Sequence, residues 1–222
     1  MLTTKIDNFN EEILNEVIDI LQEYNFFEYS DASDWWYREE NHRYFTDNTG
    51  IHVEFGCTKA VFLSDSDWVL KTNIKRDTCD KYEDYCRREA DNYELATHEH
   101  IDNYFAACYF YKEVDGYDFY IQERIDPDED SISSSCYDYI SSRYSKDFES
   151  IEDEDERNYR IDDAFYDMSD EERIYAVFCD YPTDIIDAIV TFISDLDIND
   201  LHPGNFGYRE SRPVIMDYSG FN

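Results

Sequence analysis

The hydrophobic period of the sequence changes at Ile51, and this change limits the possible folds more than any other feature. Upstream, apolar residues recur at intervals of three and four from Ile13 to Tyr24, as in an amphipathic helix. Downstream, short runs of β-branched and aromatic residues are separated by turn-forming residues, as in strands. The first three runs are Ile51–Phe55, Ala60–Leu63 and Trp68–Thr72.

A helix and two more strands continue this order. The stretch Cys79–Thr97 predicts a helix, and Tyr104–Lys112 and Tyr117–Gln122 predict strands. Between these strands stands Asp115-Gly116, a dipeptide typical of a two-residue hairpin turn. The sequence therefore predicts three strands, a helix and two further strands.

The second half of the chain contains an acidic segment. Asp147–Arg173 holds thirteen carboxylates and three arginines, which predicts a solvated and partly mobile insertion. Scattered apolar residues favour a second interpretation, in which a helix packs on the body of the protein, or an acidic arm binds a partner. Behind Pro182 an apolar pattern predicts a buried helix, followed by short strands at Phe206–Tyr208 and Val214–Met216. The scattered apolar residues are Ile140, Tyr144, Ile161, Phe165 and Tyr166.

The chain carries a large negative charge. Its 222 residues include 19 Lys and Arg against 54 Asp and Glu, a formal net charge of −35. This charge excludes direct binding to nucleic acid or to an anionic membrane surface, because both are bound through cationic side chains. Two interpretations stay open: the acidity gives solubility or suits a salty environment, or it meets a specific basic partner.

Cysteine usage and hydropathy bear on the location of the protein. The 6 cysteines form no CxxC pair and predict free thiols in a reducing compartment. The sequence has no signal peptide and no apolar stretch of about 18 residues, the length that a membrane helix needs. We therefore expect a cytoplasmic protein, in the host cytoplasm if it is viral.

The strongest chemical signal lies near the end of the sequence. Asp200 is followed by Asn205, and Asp217 comes shortly before Gly220. Carboxylate and amide oxygens are suitable ligands for Mg²⁺, and a carboxylate can orient a hydroxyl group that attacks a phosphate. The cluster therefore predicts a site for magnesium-dependent phosphoryl transfer.

With these residues the chain resembles the protein-kinase-like superfamily, near its bacterial and phage branches and the aminoglycoside- and choline-type phosphotransferases. The resemblance covers residues 51–222, with its parts in the order of the family. It implies a bilobal α+β fold with an antiparallel-sheet N-lobe and a reduced, mainly helical C-lobe. We expect an N-terminal helical and aromatic extension over residues 1–45, an N-lobe over 46–123 and a C-lobe over 124–222, with an acidic insertion at 126–173.

The resemblance also implies the catalytic residues. Asp200 resembles the catalytic aspartate of the family, and Asn205 and Asp217 resemble its metal ligands. Lys71 ends a short strand and resembles the lysine that holds the α and β phosphates of ATP. Glu89 is the expected partner of this lysine, and the alternatives on the same helix are Glu83 and Glu94.

The remaining nucleotide contacts are implied by position. Gly56, Cys57 and Thr58 stand where the family has its phosphate-covering hairpin, although only one of the three is glycine. The segment after the last strand resembles the interlobe hinge, where main-chain groups bind adenine. Its expected contact residues are Gln122, Glu123 and Ile125. The implied cofactors are ATP and Mg²⁺.

The sequence departs from the family pattern around the catalytic aspartate. Ile198 replaces the usual histidine, and Asn199 stands where protein kinases have arginine. Asp217 and Gly220 are one residue further apart than in the protein-kinase motif. Because the sequence ends two residues after Gly220, we expect a C-lobe truncated after the metal-binding motif. The acidic insertion or the N-terminal helix would then support the catalytic loop.

Two functions remain open from the sequence. The first is a kinase-like phosphotransferase that uses ATP and Mg²⁺ and acts on a protein or a small molecule. The second is a non-catalytic kinase-like binding or inhibitor protein, for example a viral one, that uses its acidity to engage a basic, nucleic-acid-binding partner. Binding of MgATP distinguishes the two.

Overall fold

The computed structural model describes residues 11–23, 46–55, 58–63, 67–73, 84–125, 136–144, 148–199 and 201–220. The chain forms two compact units. The first consists of Met1–Asp91 and Ala107–Arg124, and the second of Asn92–Ala106 and Ile125–Asn222. The predicted division into residues 1–45, 46–123 and 124–222 stays a prediction. Most of the expected extension, including residues 24–45, lies outside the described residues.

The first unit contains a five-stranded antiparallel sheet. Its strands are β1 (His52–Phe55), β2 (Lys59–Leu63), β3 (Trp68–Asn73), β4 (Cys108–Val114) and β5 (Tyr117–Glu123). They lie in the order β1-β2-β3-β5-β4, so β3 is central. All residues of β3 are buried, and successive side chains of a strand point to opposite faces, so both faces of the sheet are covered here. The mixed α and β composition and the antiparallel sheet agree with the predicted fold class.

The turn between β4 and β5 is the one that the sequence predicts. Asp115 and Gly116 have φ angles of 52° and 80°. Positive φ at both central residues is the geometry of a type I′ turn, whose twist matches that of the flanking strands. The start of β4 was predicted at Tyr104, which is wrong: Tyr104 ends a short 3₁₀ helix, and β4 begins at Cys108. The residues between Tyr104 and Cys108 do not extend β4, because the amide of Ala106 donates its hydrogen bond to the Ile215 carbonyl instead.

Two helices accompany the sheet. Helix α1 (Glu11–Glu23) buries an apolar stripe against the first unit, and Asn15 accepts hydrogen bonds from Tyr111 and Lys112 of β4. Helix α2 (Tyr85–His98) begins later than predicted. Asp84 is not helical, and its carboxylate accepts a hydrogen bond from the Arg87 amide at 2.8 Å, as an N-cap residue does.

The second unit is mainly helical. Its helices are α3 (Tyr137–Tyr144), α4 (Glu154–Tyr166), α5 (Asp170–Val177) and α6 (Thr183–Asp195), and a hairpin of β6 (Phe206–Arg209) and β7 (Arg212–Ile215) follows them. Helix α6 confirms the apolar pattern behind Pro182, with its buried residues at three-and-four spacing. No helix of the described residues has the length and apolar content that a membrane span needs.

The acidic segment forms packed helices, which supports the second of the two interpretations of this stretch. Asp153 caps α4, and Ser169 and Glu172 form a reciprocal capping box at the start of α5. Ile161 and Phe165 are buried, one helical turn apart, while most carboxylates of the segment face solvent. Four apolar residues inside a strongly charged stretch are thus sufficient to define a packed face; these residues are Ile161, Ala164, Phe165 and Met168.

Candidate functional site

A buried ion pair joins the central strand of the first unit to the helix that follows it. The Lys71 Nζ lies 2.7 Å from Glu89 Oε2, and their side chains are 5% and 0% exposed. Lys71 is on β3 and Glu89 is on the second turn of α2. The expected pairing is therefore present, while the alternative Glu94 is exposed and Glu83 lies outside the described residues.

Two further side chains complete this cluster. Gln122 of β5 accepts a second hydrogen bond from Lys71 Nζ at 2.9 Å. Lys59 of β2 places its Nζ 2.7 Å from Glu89 Oε1, and its side chain is 7% exposed. Each oxygen of the Glu89 carboxylate is thus bound to a different buried lysine. We refer to Lys59, Lys71, Glu89 and Gln122 as the lysine cluster.

The lysine cluster is costly to bury. Removing an ion from water costs several kcal/mol, and well-packed apolar residues in place of a buried ion pair are often neutral or stabilising. Short, charge-assisted hydrogen bonds of 2.7 Å from each lysine to Glu89 and of 2.9 Å from Lys71 to Gln122 compensate part of this cost. Its geometry fixes the Lys71 ammonium between two acceptors from different elements, which is the arrangement of a pre-positioned point charge.

The contacts between β3 and the start of α2 explain how Glu89 reaches Lys71. Asn73, at the end of β3, accepts a hydrogen bond from the Cys86 amide at 3.1 Å and donates to the Asp84 carboxylate. These bonds set the register of the helix against the strand, and Glu89 follows Cys86 by about one turn. Burial, followed by the negative charge of Glu89, raises the pKa of the Cys86 thiol well above its usual value. The thiol is therefore neutral and unreactive.

The predicted hinge residues lie at and after the end of β5. Gln122 directs its side chain to Lys71, as described above. The amides of Glu123 and Arg124 donate to the carbonyls of Ala107 and Asp67, at 2.8 Å and 2.9 Å. These two amides are therefore engaged in hydrogen bonds within the first unit.

In the second unit, Asn205 and Asp217 lie at the open end of the β6–β7 hairpin. The Met216 amide donates to the Asn205 carbonyl at 2.8 Å, which continues the strand pairing to the residue before Asp217. Both side chains are half-buried, and Asp217 Oδ1 accepts a hydrogen bond from Ser219 at 3.1 Å. Two of the predicted metal-site residues are therefore held at one end of a rigid hairpin.

The last turn of the described chain packs directly on the loop that leads to Asp200. A Cβ built on Gly220 would lie 2.5 Å from the Asp197 carbonyl oxygen, and Gly220 has a φ of +73°. Only glycine tolerates both conditions without strain. The glycine of the predicted metal motif thus has a packing role that a sequence pattern cannot reveal.

Buried contacts anchor the residue after Asp217. The Tyr218 hydroxyl donates to the Ala106 carbonyl, and its ring packs edge-on against Phe105 at 5.2 Å. Its carbonyl oxygen accepts a hydrogen bond from the buried Asn92 side chain at 2.8 Å. Main chain and side chain are both fixed, which limits the movement of the neighbouring Asp217.

Helix α5 supports the Asp200 loop. Asp170 Oδ1 accepts a hydrogen bond from the Leu201 amide at 2.9 Å. The same oxygen forms an ion pair with Arg173, also at 2.9 Å. Arg173 also donates to the carbonyls of Phe165 and Tyr166 at the end of α4. The acidic segment is therefore hydrogen-bonded to the residue after Asp200, as is expected if this segment supports the catalytic loop.

Several predicted residues are not described by the structure. Asp200, Gly56 and Cys57 lie outside the described residues, and Thr58 is half-buried just before β2. Sequence reasoning missed Lys59, Asn92 and Asp170. The sequence held no signal for them: Lys59 shares a face of β2 with Val61, but the pairing of Val61 with Lys71 becomes known only from the structure.

The two units offer different donor groups: the first has buried ammonium groups, and the second has carboxylate and amide oxygens. Buried ammonium groups suit phosphate oxygens, and the carboxylate and amide oxygens of Asp217 and Asn205 suit a hard divalent cation. Within the described ranges, which exclude Asp200, no group of three or more His, Cys, Asp or Glu side chains could hold a metal ion.

Comparisons with known proteins add little. No protein-family model matches the chain, and no curated protein matches its sequence. Among solved structures, a complex of gentamicin with APH(2")-IIa matches 82% of this chain and 70% of that chain, with 12% identity and a TM-score of 0.28. Neither the identity nor the TM-score is high enough to show a common fold.

Proposed function

We propose that this chain is a kinase-like phosphotransferase that uses ATP and Mg²⁺ and transfers phosphate to a protein or a small molecule. The observation that carries the proposal is the buried Lys71–Glu89 ion pair, with the lysine on the central strand of an antiparallel sheet and the glutamate on the next helix. A buried ion pair of this kind often stabilises a fold no better than well-packed apolar residues of similar volume would. It suits a function that needs a fixed cation beside a phosphate.

Each residue has a defined task under this proposal. Lys71 holds the phosphates, and Glu89 and Gln122 orient its ammonium group. Asn205 and Asp217 would hold the metal ion, which would supply positive charge against the phosphates. Asp200 is assigned by the resemblance to orient the acceptor hydroxyl. Catalysis then depends mainly on positioning and on electrostatic stabilisation.

Thermal unfolding with MgATP tests the nucleotide site. At a hundredfold excess over the dissociation constant, MgATP should stabilise the wild type by about 2.7 kcal/mol. Lys71→Met and Asp217→Asn should abolish the shift. Lys112→Met and the exposed Asp195→Asn are matched controls that should retain it. An unchanged melting temperature of the wild type with MgATP would refute the proposal.

Transfer of a labelled γ-phosphate tests the reaction. The wild type should label itself or an added acceptor, and Asp200→Ala should not, although it should still respond to MgATP in thermal unfolding. Equal labelling by wild type and Asp200→Ala would show that Asp200 has no catalytic role. If the wild type binds nucleotide but transfers no phosphate, the chain is a nucleotide-binding protein and the enzymatic part of the proposal is wrong.

A groove in the second unit favours a second candidate function, the binding of a basic partner. The groove measures about 510 Å³, and its lining includes the apolar side chains of Phe192 and the 44% exposed Leu95. Carboxylates also line the groove, and none of the described lining residues is Lys or Arg. These carboxylates belong to Glu99, Asp184, Asp187 and Asp195.

The spacing of these carboxylates suggests the occupant. Three of them follow the exposed face of α6 over a length of about 16 Å. We propose that a basic amphipathic helix of a partner protein binds here, with its apolar face on Leu95 and its cations on the aspartates.

A labelled amphipathic peptide of Lys and Leu can test the groove by fluorescence anisotropy. Leu95→Asp and a double replacement of Asp184 and Asp187 by Asn should weaken binding. Replacement of the exposed Glu12 and Glu16 on α1 by Gln removes the same number of charges elsewhere and should have little effect. Equal weakening by both charge variants would show attraction to the net charge alone and would exclude a docking site.

A further inference from the structure

Two exposed tyrosines lie on one side of α4, in the acidic segment. Tyr159 and Tyr166 are 62% and 55% exposed. They are seven residues apart, which is about two helical turns, so their Cα atoms lie about 10 Å apart on the same side of the helix. The opposite side is buried through Ile161, Ala164 and Phe165. Packing of that side therefore keeps the two tyrosines directed to solvent.

Carboxylates stand next to the two rings. Asp155 and Asp163 are exposed and lie within about 40° of Tyr159 around the helix axis. Neither forms an ion pair with another residue of the described ranges. Arg160 borders this surface, but its guanidinium is bound to the Glu156 carboxylate at 2.9 Å. We define the tyrosine face of α4 by four residues: Asp155, Tyr159, Asp163 and Tyr166.

This combination of groups suits the side chain of arginine. An aromatic ring attracts a cation to its face, and a guanidinium can also stack on the ring because it is planar. The same guanidinium donates strong hydrogen bonds to a carboxylate. The molecule contains such an arrangement itself: the Arg173 guanidinium lies 5.8 Å from the centre of the Phe165 ring and binds the Asp170 carboxylate. A net charge of −35 attracts a basic partner over longer distances.

We propose that the tyrosine face binds an arginine-rich segment of a partner protein. The guanidinium groups stack on the rings of Tyr159 and Tyr166 and donate hydrogen bonds to the neighbouring carboxylates. In a segment with polyproline II conformation, residues three positions apart point the same way and lie about 9 Å apart, which matches the spacing of the two tyrosines. The tyrosine face shares no residue with the nucleotide site or with the groove beside α6, so this inference does not depend on the proposed function.

Fluorescence anisotropy with two labelled peptides tests the inference. One peptide has arginine at every third position, with glycine and serine between, and the other has lysine at the same positions. The wild type should bind the arginine peptide about threefold to tenfold more tightly than the lysine peptide. Tyr159→Leu combined with Tyr166→Leu should remove this preference, and both positions are exposed, so the variant should fold. Replacement of both tyrosines by Phe keeps the rings and should retain the preference.

Two controls show whether the effect belongs to the tyrosine face. Phe110→Leu removes an aromatic ring of 46% exposure on β4 and should keep the preference for arginine. Leu95→Asp alters the groove beside α6 and should keep it as well. If Leu95→Asp removes the preference, the peptides occupy the groove, and the inference is wrong while the groove proposal stands.

Three further results would overturn the inference. Equal affinity of the wild type for the two peptides would show attraction to the net charge alone. A preference for arginine that persists in the variant with both leucines would mean that other residues recognise the guanidinium. Absence of binding to either peptide would show that the tyrosine face does not hold a basic segment.

Discussion

Gly220 is a residue whose identity is decided by its surroundings. Its φ is +73°, and any Cβ would meet the Asp197 carbonyl, which is backbone and cannot rotate away. Gly50 has nearly the same φ, +72°, but has nothing within 4 Å of its Cβ position. Alanine substitutions at the two glycines therefore separate the free-energy cost of the backbone conformation from the cost of the contact with Asp197.

We expect Gly220→Ala to destabilise the protein more than Gly50→Ala. The left-handed conformation alone costs an alanine about 1–2 kcal/mol, so Gly50→Ala should lie in this range. Gly220→Ala adds the contact with Asp197, and we expect a total of about 3 kcal/mol or more. Urea unfolding measures both values. Equal costs would mean that the loop around Asp197 shifts freely, and that Gly220 does not hold it in place.

The lysine cluster shows what a sequence can predict at the level of single residues. The pairing of Lys71 with Glu89 was expected, because both stand in the strand–helix order of a resembling family. The second lysine was not expected, because its contact depends on the register between β2 and β3. Asn92 was missed for a similar reason: its partner, the Tyr218 carbonyl, is 126 residues away in the sequence.

Helix α5 connects the acidic segment to the loop around Asp200. Asp170 of this helix accepts a hydrogen bond from the Leu201 amide and forms an ion pair with Arg173. We expect Asp170→Ala to leave the Leu201 amide without this acceptor and to cost about 1–3 kcal/mol in unfolding free energy. Hydrogen exchange should become faster at Leu201, and phosphoryl transfer should lose kcat more than affinity for ATP.

Glu171→Ala is the control for this prediction, since the neighbouring Glu171 is an exposed residue of the same helix turn. It should change neither exchange at Leu201 nor kcat. If Asp170→Ala leaves exchange at Leu201 unchanged, α5 does not support the loop, and the expectation that the acidic segment supports it loses its basis.

A second element-level prediction concerns the contact between α1 and β4. Burial, followed by the charge of Glu11, raises the pKa of Tyr111 to about 12. The unfolded tyrosine titrates near pH 10, so the folded state holds this proton more tightly. The resulting stabilisation is complete below pH 10 and is lost as the pH rises through 12. Tyr111→Phe should flatten this part of the stability profile, measured by urea unfolding from pH 8 to 11.5.

Tyr159→Phe serves as its control, because Tyr159 is 62% exposed. This variant should keep the alkaline loss of stability seen in the wild type. Some loss should also persist in Tyr111→Phe, because burial raises the pKa of Tyr104 and Tyr139 as well. If Tyr111→Phe and the wild type have the same profile of stability against pH, the contact of Tyr111 with α1 does not contribute to the alkaline loss of stability.

The elements themselves were largely predictable, and their ends were not. Period and turn residues indicated the strands, the hairpin at Asp115-Gly116 and the helix behind Pro182. The start of α2 depends on the cap at Asp84, and the start of β4 depends on the pairing of Ala106 with Ile215. Both ends are decided by contacts with other parts of the chain, which local patterns do not contain.

At the scale of the whole molecule, charge is the dominant property. A net charge of −35 destabilises a compact state by self-repulsion, since unfolding moves the charges apart. Exposed ion pairs offset little of this: the pairs Arg87–Asp91 and Arg160–Glu156 are more than half exposed, and such pairs contribute about 0–1 kcal/mol each. The buried lysine cluster is shielded from salt, whereas the surface repulsion is not.

We therefore expect sodium chloride to raise the melting temperature. The Debye length falls from about 10 Å at 0.1 M to about 3 Å at 1 M, which screens repulsion between surface carboxylates. Replacement of the exposed Glu11, Glu12 and Glu16 by Gln should raise the melting temperature at low salt and reduce the response to salt. Chloride is preferable to sulfate, because sulfate also strengthens apolar burial. A melting temperature that falls with sodium chloride would show that attractive surface pairs outweigh the repulsion, contrary to this account.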